Sequence, residues 1–431
     1  MQTTFTPEQL ADPLTARSNR ILRACVHCGF CTATCPTYKL LGDELDSPRG
    51  RIYLIKDMLE SGRPADEKTA LHLDRCLSCL SCMTTCPSGV NYMHLIDHGR
   101  AHVEATYRRP WRDRWLRDLL ARVLPYPGRF RAAMAAAKLA RPFAALMPDR
   151  RLRAMLRMAG APLPGPSRVN DPGTHPAVGA RRMRVAILPG CAQSVLDPGI
   201  NEAAIRLLNR AGAEVVVPEG IGCCGALTHH MGREDQARET ALRTIRAVLA
   251  AEAEGPLDAF LVTTSGCGTT VKDYGAIFAG TPHEAEAVRV ASLARDVTEV
   301  LADLGLPPVT RPRALRVAYH PACSLQHGQR IVATPKELLA AAGYEVVTPA
   351  DAHLCCGSAG TYNLLQPELS TQLRDLKLAA LHQTVPQVIA AGNLGCMIQI
   401  ASGTGIPVVH TVQLLDWATG GPAPKNLDEA F

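Results

Sequence analysis

Cys25-Val26-His27-Cys28-Gly29-Phe30-Cys31-Thr32-Ala33-Thr34-Cys35-Pro36 is the stretch on which the first part of the fold turns. Its spacing, C-x2-C-x2-C-x3-C-P, returns 51 residues later as Cys76, Cys79, Cys82, Cys86 and Pro87. This is the ligand spacing of bacterial-type 4Fe–4S clusters, in which three closely spaced thiolates wrap one corner of a cubane and the fourth serves the neighbouring cluster. The expectation is therefore two crossed sites. One takes Cys25, Cys28, Cys31 and Cys86, and the other takes Cys76, Cys79, Cys82 and Cys35. Zinc rarely calls for ligands so densely packed and duplicated.

Between the runs lie forty residues, too many for the short connection of a compact ferredoxin. Ser47-Pro48 offers an N-cap with proline at the first helical position, and Ile52, Ile55 and Leu59 recur at helical spacing. An α-helical ferredoxin domain carrying two 4Fe–4S clusters follows for residues 1–100. Arg49 and Arg51 have two readings, a solvated helix start or contact with a cluster or partner.

Outward from there, residues 100–157 lack cysteine and carry fifteen Lys and Arg against Glu104, Asp113, Asp118 and Asp149, a net of +11 within a chain of net +6. Trp111, Trp115, Leu116, Leu119, Leu120 and Val123 form an apolar stripe, with Arg112, Arg114, Arg117 and Arg122 largely elsewhere. Three readings stand: a helix packed on its own protein with arginines in water, docking on an acidic partner, or contact with an anionic membrane. The aromatics do not interleave with the charges as nucleic acid binding would require. Ala161-Pro162-Leu163-Pro164-Gly165-Pro166 and Asp171-Pro172-Gly173 mark a linker, so 101–180 reads as a basic connector.

The remaining eight cysteines also repeat. Cys191, Cys223 and Cys224 return 132 residues later as Cys323, Cys355 and Cys356, and Cys267 returns as Cys396. Strand-like runs at 184–188, 214–217 and 259–263 precede the first set, and 317–320, 345–347 and 387–391 precede the second. This predicts a duplicated α/β cysteine-rich unit, 181–310 and 311–431, with thiols beyond the strand ends where open α/β sheets bind ligands. Glycine after each adjacent pair permits the turn that aims both sulfurs inward. Zinc, an iron–sulfur centre, a reduced thiol pocket and vicinal disulfides all remain open here. The second repeat adds His320, His327 and His353 as further ligands, proton carriers for an acceptor, or satisfied loop histidines.

Sixteen cysteines in 431 residues is far from the roughly 8–10% of a secreted disulfide scaffold. The N-terminus lacks the pattern of a signal peptide, and no apolar run approaches the roughly 20 residues of a membrane span. A cytoplasmic chain, peripheral to the inner membrane at most, is the expectation. No G-x-G-x-x-G follows a strand, so flavin or nicotinamide chemistry is expected on another subunit.

These motifs, together with Ser47-Pro48-Arg49-Gly50-Arg51-Ile52-Tyr53 and Leu354-Cys355-Cys356-Gly357-Ser358-Ala359-Gly360-Thr361-Tyr362, resemble the iron–sulfur subunits of bacterial glycolate oxidases. More broadly they resemble the iron–sulfur subunits of heterodisulfide reductase and anaerobic glycerol-3-phosphate dehydrogenase. The resemblance implies partner subunits with FAD that oxidise glycolate to glyoxylate, and onward electron transfer to an acceptor such as a quinone. The chain departs from the wider family where that family ends its repeat in C-x2-C. Here Thr270 and Gln399 stand in place of the last cysteine. Rival readings are a glycerol-3-phosphate dehydrogenase subunit, a disulfide reductase, and a zinc-binding assembly scaffold.

Overall fold

The computed structural model describes residues 1–159, 162–311, 314–425 and 427. Ala161 of the expected linker, and 312, 313, 426 and 428–431 of the expected second repeat, lie outside the described residues.

The N-terminal part is helical, as its pattern predicts. Its main helices, Pro13–Ala24, Pro48–Ser61, Glu67–Asp74 and Tyr92–Thr106, are capped by Asp12, Ser47, Asp66 and Asn91, whose side chains accept from backbone N–H groups of the first turn. Ile52, Ile55 and Leu59 face inward with Leu22, Met58, Leu73 and Leu95. Burying one such side chain contributes about 1.5–3 kcal/mol. At Gly99 a Cβ would sit 2.9 Å from Ile55, so glycine lets the Tyr92–Thr106 helix approach its neighbour closely.

The connector packs on its own protein but divides the apolar stripe. In the Trp111–Val123 helix, Leu116 and Leu120 are buried, whereas Trp111 is 67% and Trp115 50% exposed. Positions 111, 115 and 119 share one face, and 116 and 120 lie a hundred degrees round the helix. The arginines are not all in water, which corrects one sequence reading. Arg117 is buried against Asp74 (2.8 Å) and Asp113 (3.2 Å), and Arg109 joins the same knot. Arg112, Arg114 and Arg122 are exposed.

Two sheets follow. The first contains β1 (Gly173–His175), β2 (Met183–Ile187), β3 (Ala213–Val217), β4 (Ala259–Val262) and β5 (Ala294–Asp296) in the order β1-β3-β2-β4-β5. The second contains β6 (Arg316–His320), β7 (Glu345–Val347), β8 (Val388–Ala391) and β9 (Val408–His410) in the order β7-β6-β8-β9. Without β1, the two orders are the same. All pairs are parallel except β1 with β3. Val185 sits opposite Val215 and Ala259, as Val317 sits opposite Val346 and Val388. Helices cover both faces, which is why the strands read as unbroken apolar runs.

The sheets share one core, because Leu207 and Leu208 of the Gly199–Arg210 helix lie in the same cluster as Leu414 and Leu415 of the Thr411–Ala418 helix. The helical part is pinned to both repeats. His94 meets Asp273 at 2.8 Å in the first, and Thr84 bonds His327 at 2.8 Å in the second.

Candidate metal centres

The first cysteine run leaves the Pro13–Ala24 helix at Cys25, turns through His27 and Gly29, and enters the Pro36–Leu41 helix at Cys35. His27 (φ 58°) and Gly29 (φ 85°) are left-handed, and so are the residues 51 positions on, Ser78 (φ 48°) and Leu80 (φ 62°). For a non-glycine residue that conformation costs on the order of 1–3 kcal/mol and persists only where the surroundings over-determine it. Two loops thus hold one strained path twice, curling the backbone around their thiols.

Cys25, Cys28, Cys31 and Cys86 line one open hollow, with Cys82 also on its wall. Burial, reinforced by Cys25, pushes the Cys31 thiol up to about 11, against the opposing N–H of Arg49. The second group is deeper. Burial pushes Cys79 well up, with Cys323, Cys35 and Cys76 adding to it, and Cys82 responds to burial and to Cys79, Cys76 and Cys35. Thiols so crowded cannot ionise together without a compensating cation, and an iron–sulfur core is such a cation. The donor set therefore fits iron–sulfur chemistry.

Polar groups point at these sulfurs. Ser78 N–H and Tyr92 O–H reach Cys76 Sγ at 3.4 and 3.8 Å. Thr37 Oγ1 lies 3.3 Å from Cys35 Sγ, and Arg51 Nη1 donates to the same sulfur at 3.9 Å. Arg51 is fully buried, paired with Asp46 at 3.2 Å, so it is a cluster-side residue rather than a solvated helix start. Burial opposes its charge, but Cys76, Tyr92, Cys35 and Asp46 outweigh that and keep it protonated. Arg49 pairs with Glu44 near the surface and also lines the hollow of the first thiol group.

All eight remaining cysteines lie beyond strand ends, as expected. Gly225 (φ 85°) and Gly357 (φ 88°) make the turn after each pair. In the first repeat Cys191 and Cys223 share a hydrogen bond at 3.5 Å. Hydrogen bonds from Cys191 and Cys224 hold the Cys223 thiol well below the usual range. Cys267 completes this group, packed against the same core.

In the second repeat Cys323 adjoins Cys355, which also accepts from Gly357 N–H at 3.4 Å, while Cys356 and Cys396 lie with His320. Burial first, and Lys377 second, hold His320 well below the usual imidazole range. Lys377 is itself buried among these thiols and donates to Asp351 O at 2.8 Å. His327 is bonded at both nitrogens, to Thr84 and to the His353 carbonyl, and His353 is only partly buried. Of the three histidines singled out by sequence, His320 is the one the structure brings to the thiols. Thr270 bonds Gly266 O, and Gln399 bonds Ser370 Oγ at 2.7 Å, so both substituted positions satisfy local backbone or side chains.

The thiol groups are contiguous in one direction. Leu77 and Cys79 pack into the same apolar cluster as Cys323, Cys355 and Tyr362. At the opposite end Cys28 is exposed, flanked by Val26 and Phe30, which are 67% and 61% exposed. Sequence reasoning missed Lys377, whose place among the thiols depends on long-range packing. It also missed the Asp46 pairing of Arg51, which no linear spacing signals.

Residues 21–90 match the family described as 4Fe-4S dicluster domain, and residues 185–272 and 317–401 match the family described as Cysteine-rich domain. The chain is 42% identical to the glycolate oxidase iron-sulfur subunit of Escherichia coli (strain K12), over 97% of this chain and 99% of that one. It is 31% identical to the probable glycolate oxidase iron-sulfur subunit of Bacillus subtilis (strain 168), over 92% and 94%. Lactate utilization protein A of Geobacillus kaustophilus is 29% identical, over 54% of this chain and 99% of that protein. Among solved structures, a hypothetical protein from Helicobacter pylori superposes with a TM-score of 0.56 at 10% identity, covering 98% of this chain and 75% of that one, a likeness of fold alone.

Proposed function

The chain belongs to the family of glycolate oxidase iron–sulfur subunits, and from that premise we propose that it carries electrons away from partner subunits whose FAD oxidises glycolate to glyoxylate. The observation that carries the reading is the succession of thiol groups from exposed Cys28, which shares a hollow with Cys82, through Cys79, to Cys323 and Cys355. Two 4Fe–4S clusters on the crossed ligand sets would supply one-electron redox chemistry, and zinc or a further iron–sulfur centre would occupy the cysteine-rich repeats.

The chain's own residues do the rest. Cys25, Cys28, Cys31 and Cys86 hold one group near the surface, where a flavin subunit can approach. Cys76, Cys79, Cys82 and Cys35 hold the other in the interior. Ser78, Tyr92 and Thr37 donate to, or lie against, the sulfurs of the inner set, and buried Arg51 adds positive charge there. Donors and positive charge stabilise the reduced, more negative state, so they raise the inner potential relative to a site without them. The functional units in this reading are those expected from sequence, 1–100, 101–180, 181–310 and 311–431. The exposed Trp111 and Trp115 beside Arg112, Arg114 and Arg122 suit contact with an anionic membrane, near a quinone acceptor. Among the described residues no helix is long and apolar enough to cross a membrane.

The test is anaerobic purification of the complex, with iron analysis and EPR after glycolate is added. About eight cluster irons per chain, reduced by glycolate, is the expected result. Fewer than two clusters, or clusters that glycolate leaves oxidised, would end this reading. Cys86→Ser should perturb the signal of the surface cluster; loss confined to the inner one contradicts crossed ligation. Whether the complex sediments with membranes in the same preparation checks the surface reading.

A further inference from the structure

The two cysteine-rich repeats are copies in strand order and thiol spacing, so a position at which they differ in chemistry is informative. At the 132-residue offset that relates Cys191 to Cys323, Leu188 corresponds to His320. Leu188 is an ordinary core side chain, buried beside Phe260 and Val262 in the first repeat's core. His320 is equally inaccessible, at 0% exposure, yet neither of its ring nitrogens has a hydrogen-bond partner. Leaving a buried polar group unpaired costs on the order of 1–3 kcal/mol, and a neutral imidazole carries two such atoms. A residue that only filled space would be served better by the leucine of the first copy.

The imidazole's neighbours explain its presence. One ring nitrogen of His320 and the sulfurs of Cys356 and Cys396 all lie within 4.8 Å of one another, and all three residues are buried. Cys355 lies outside that group, in the apolar cluster with Cys323, but it is the next residue in the chain to Cys356 and so is the thiol we assign to a fourth position. Gln399, where the wider family carries a further cysteine, is turned to Ser370 and Asn363 and leaves that role open.

We propose that His320 is a nitrogen ligand, and that the second repeat holds a single soft divalent metal of the zinc class on His320, Cys356, Cys396 and Cys355. The first repeat offers sulfur only, from Cys191, Cys223, Cys224 and Cys267. The two copies therefore differ in what they bind. Three thiolates and one imidazole make a closed tetrahedral site, the arrangement of structural zinc. This inference rests on the reading that the repeats hold metal, and is independent of the N-terminal clusters.

The test uses the full chain purified anaerobically, with metal content by mass spectrometry and zinc-edge X-ray absorption. About one zinc per chain, with sulfur scatterers and the outer-shell pattern of one imidazole, is expected. His320→Ala should lose that zinc while the EPR of the N-terminal clusters is unchanged, which reports that the chain still folds. His320→Cys should regain the metal and lose the imidazole pattern. An all-sulfur spectrum in the unaltered chain, or full zinc retention in His320→Ala, would overturn the assignment of His320 alone. Absence of any metal beyond the N-terminal cluster iron would instead overturn the parent reading that the repeats hold metal, and the assignment with it.

Discussion

The first cysteine-rich repeat keeps Cys191, Cys223 and Cys224 inside its own apolar core, whereas the second divides its thiols between two environments. Cys356 and Cys396 face the core shared by the sheets, and Cys323 and Cys355 face Leu77 and Cys79 of the helical part. Strand order and the left-handed glycine after the cysteine pair are the same in both. The duplication thus preserves the scaffold that brings thiols to strand ends, while neighbours decide what the thiols are for. The second copy packs Cys323 and Cys355 against Cys79 of the second N-terminal run, and it carries His320 among its thiols.

The strongest way to break this comparison is to attack the feature the copies share. A Cβ on Gly225 would lie 2.8 Å from Ala237 O, and one on Gly357 would lie 2.4 Å from Ser370 O, both against backbone that cannot swing away. Each replacement by alanine also forces a side chain into the left-handed region. Gly357→Ala should cost about 3 kcal/mol or more, and Gly225→Ala somewhat less. Chemical denaturation of the two variants checks this order. Equal effects, or a milder Gly357→Ala, would show that the second turn relaxes and that the copies are not matched there.

A subtler contrast lies in how each copy starts the helix after its last strand. Asp296 caps Val297–Leu304 with Glu299 at the third position, and His410 caps Thr411–Ala418 with Gln413, each pair forming a reciprocal capping box. Burial raises Asp296 to about 6, despite hydrogen bonds from Thr298, and lowers His410 to about 4, despite its bond to the Thr263 carbonyl at 2.9 Å. The signs oppose. Between pH 4 and 6 the unfolded chain releases the Asp296 proton while the folded chain retains it, so that group's contribution falls as pH rises. From about 6.5 down to 4 the unfolded chain takes up the His410 proton while the folded chain refuses it, so that contribution falls as pH drops. Each amounts to roughly 3 kcal/mol, and in the native chain they largely cancel. Asn, which also caps helices, separates them. Asp296→Asn should make the melting temperature fall more steeply between pH 6.5 and 4, and His410→Asn should make it rise on acidification over the same range. Parallel profiles for both variants would refute the opposed burial of the two caps.

Most of this scaffold is legible in sequence because its signals are local. The C-x2-C-x2-C-x3-C-P runs, Ser47-Pro48, and the apolar runs before Cys191 and Cys323 each encode their own element. The division of the Trp111–Val123 stripe was not legible, because the buried Arg117 depends on Asp74, over forty residues away. Nor were the roles of His320 and His327. Both belong to one H-x2-C-x3-H pattern, yet one is tied to Thr84 of a distant helix and the other faces thiols. Spacing identifies which residues can reach a site, and only the packing of separate chain segments selects among them.

The smallest expected effect isolates that packing at the tyrosine nearest each cysteine pair. Tyr274 is buried and its hydroxyl donates to the Cys224 carbonyl at 2.9 Å, so it secures the first pair through the backbone. Tyr362 is buried beside Cys355, and its hydroxyl has no hydrogen-bond partner among the described residues. Removing the first hydroxyl leaves an unpaired carbonyl as well as a lost bond, while removing the second relieves an unpaired donor. Tyr274→Phe should therefore cost about 1 kcal/mol, and Tyr362→Phe should be neutral to within about 0.5 kcal/mol in the metal-free chain. Urea unfolding of the two apo variants under reducing conditions measures both. A loss in Tyr362→Phe equal to that in Tyr274→Phe would mean that the second hydroxyl has a partner after all, and that the two pairs are held alike.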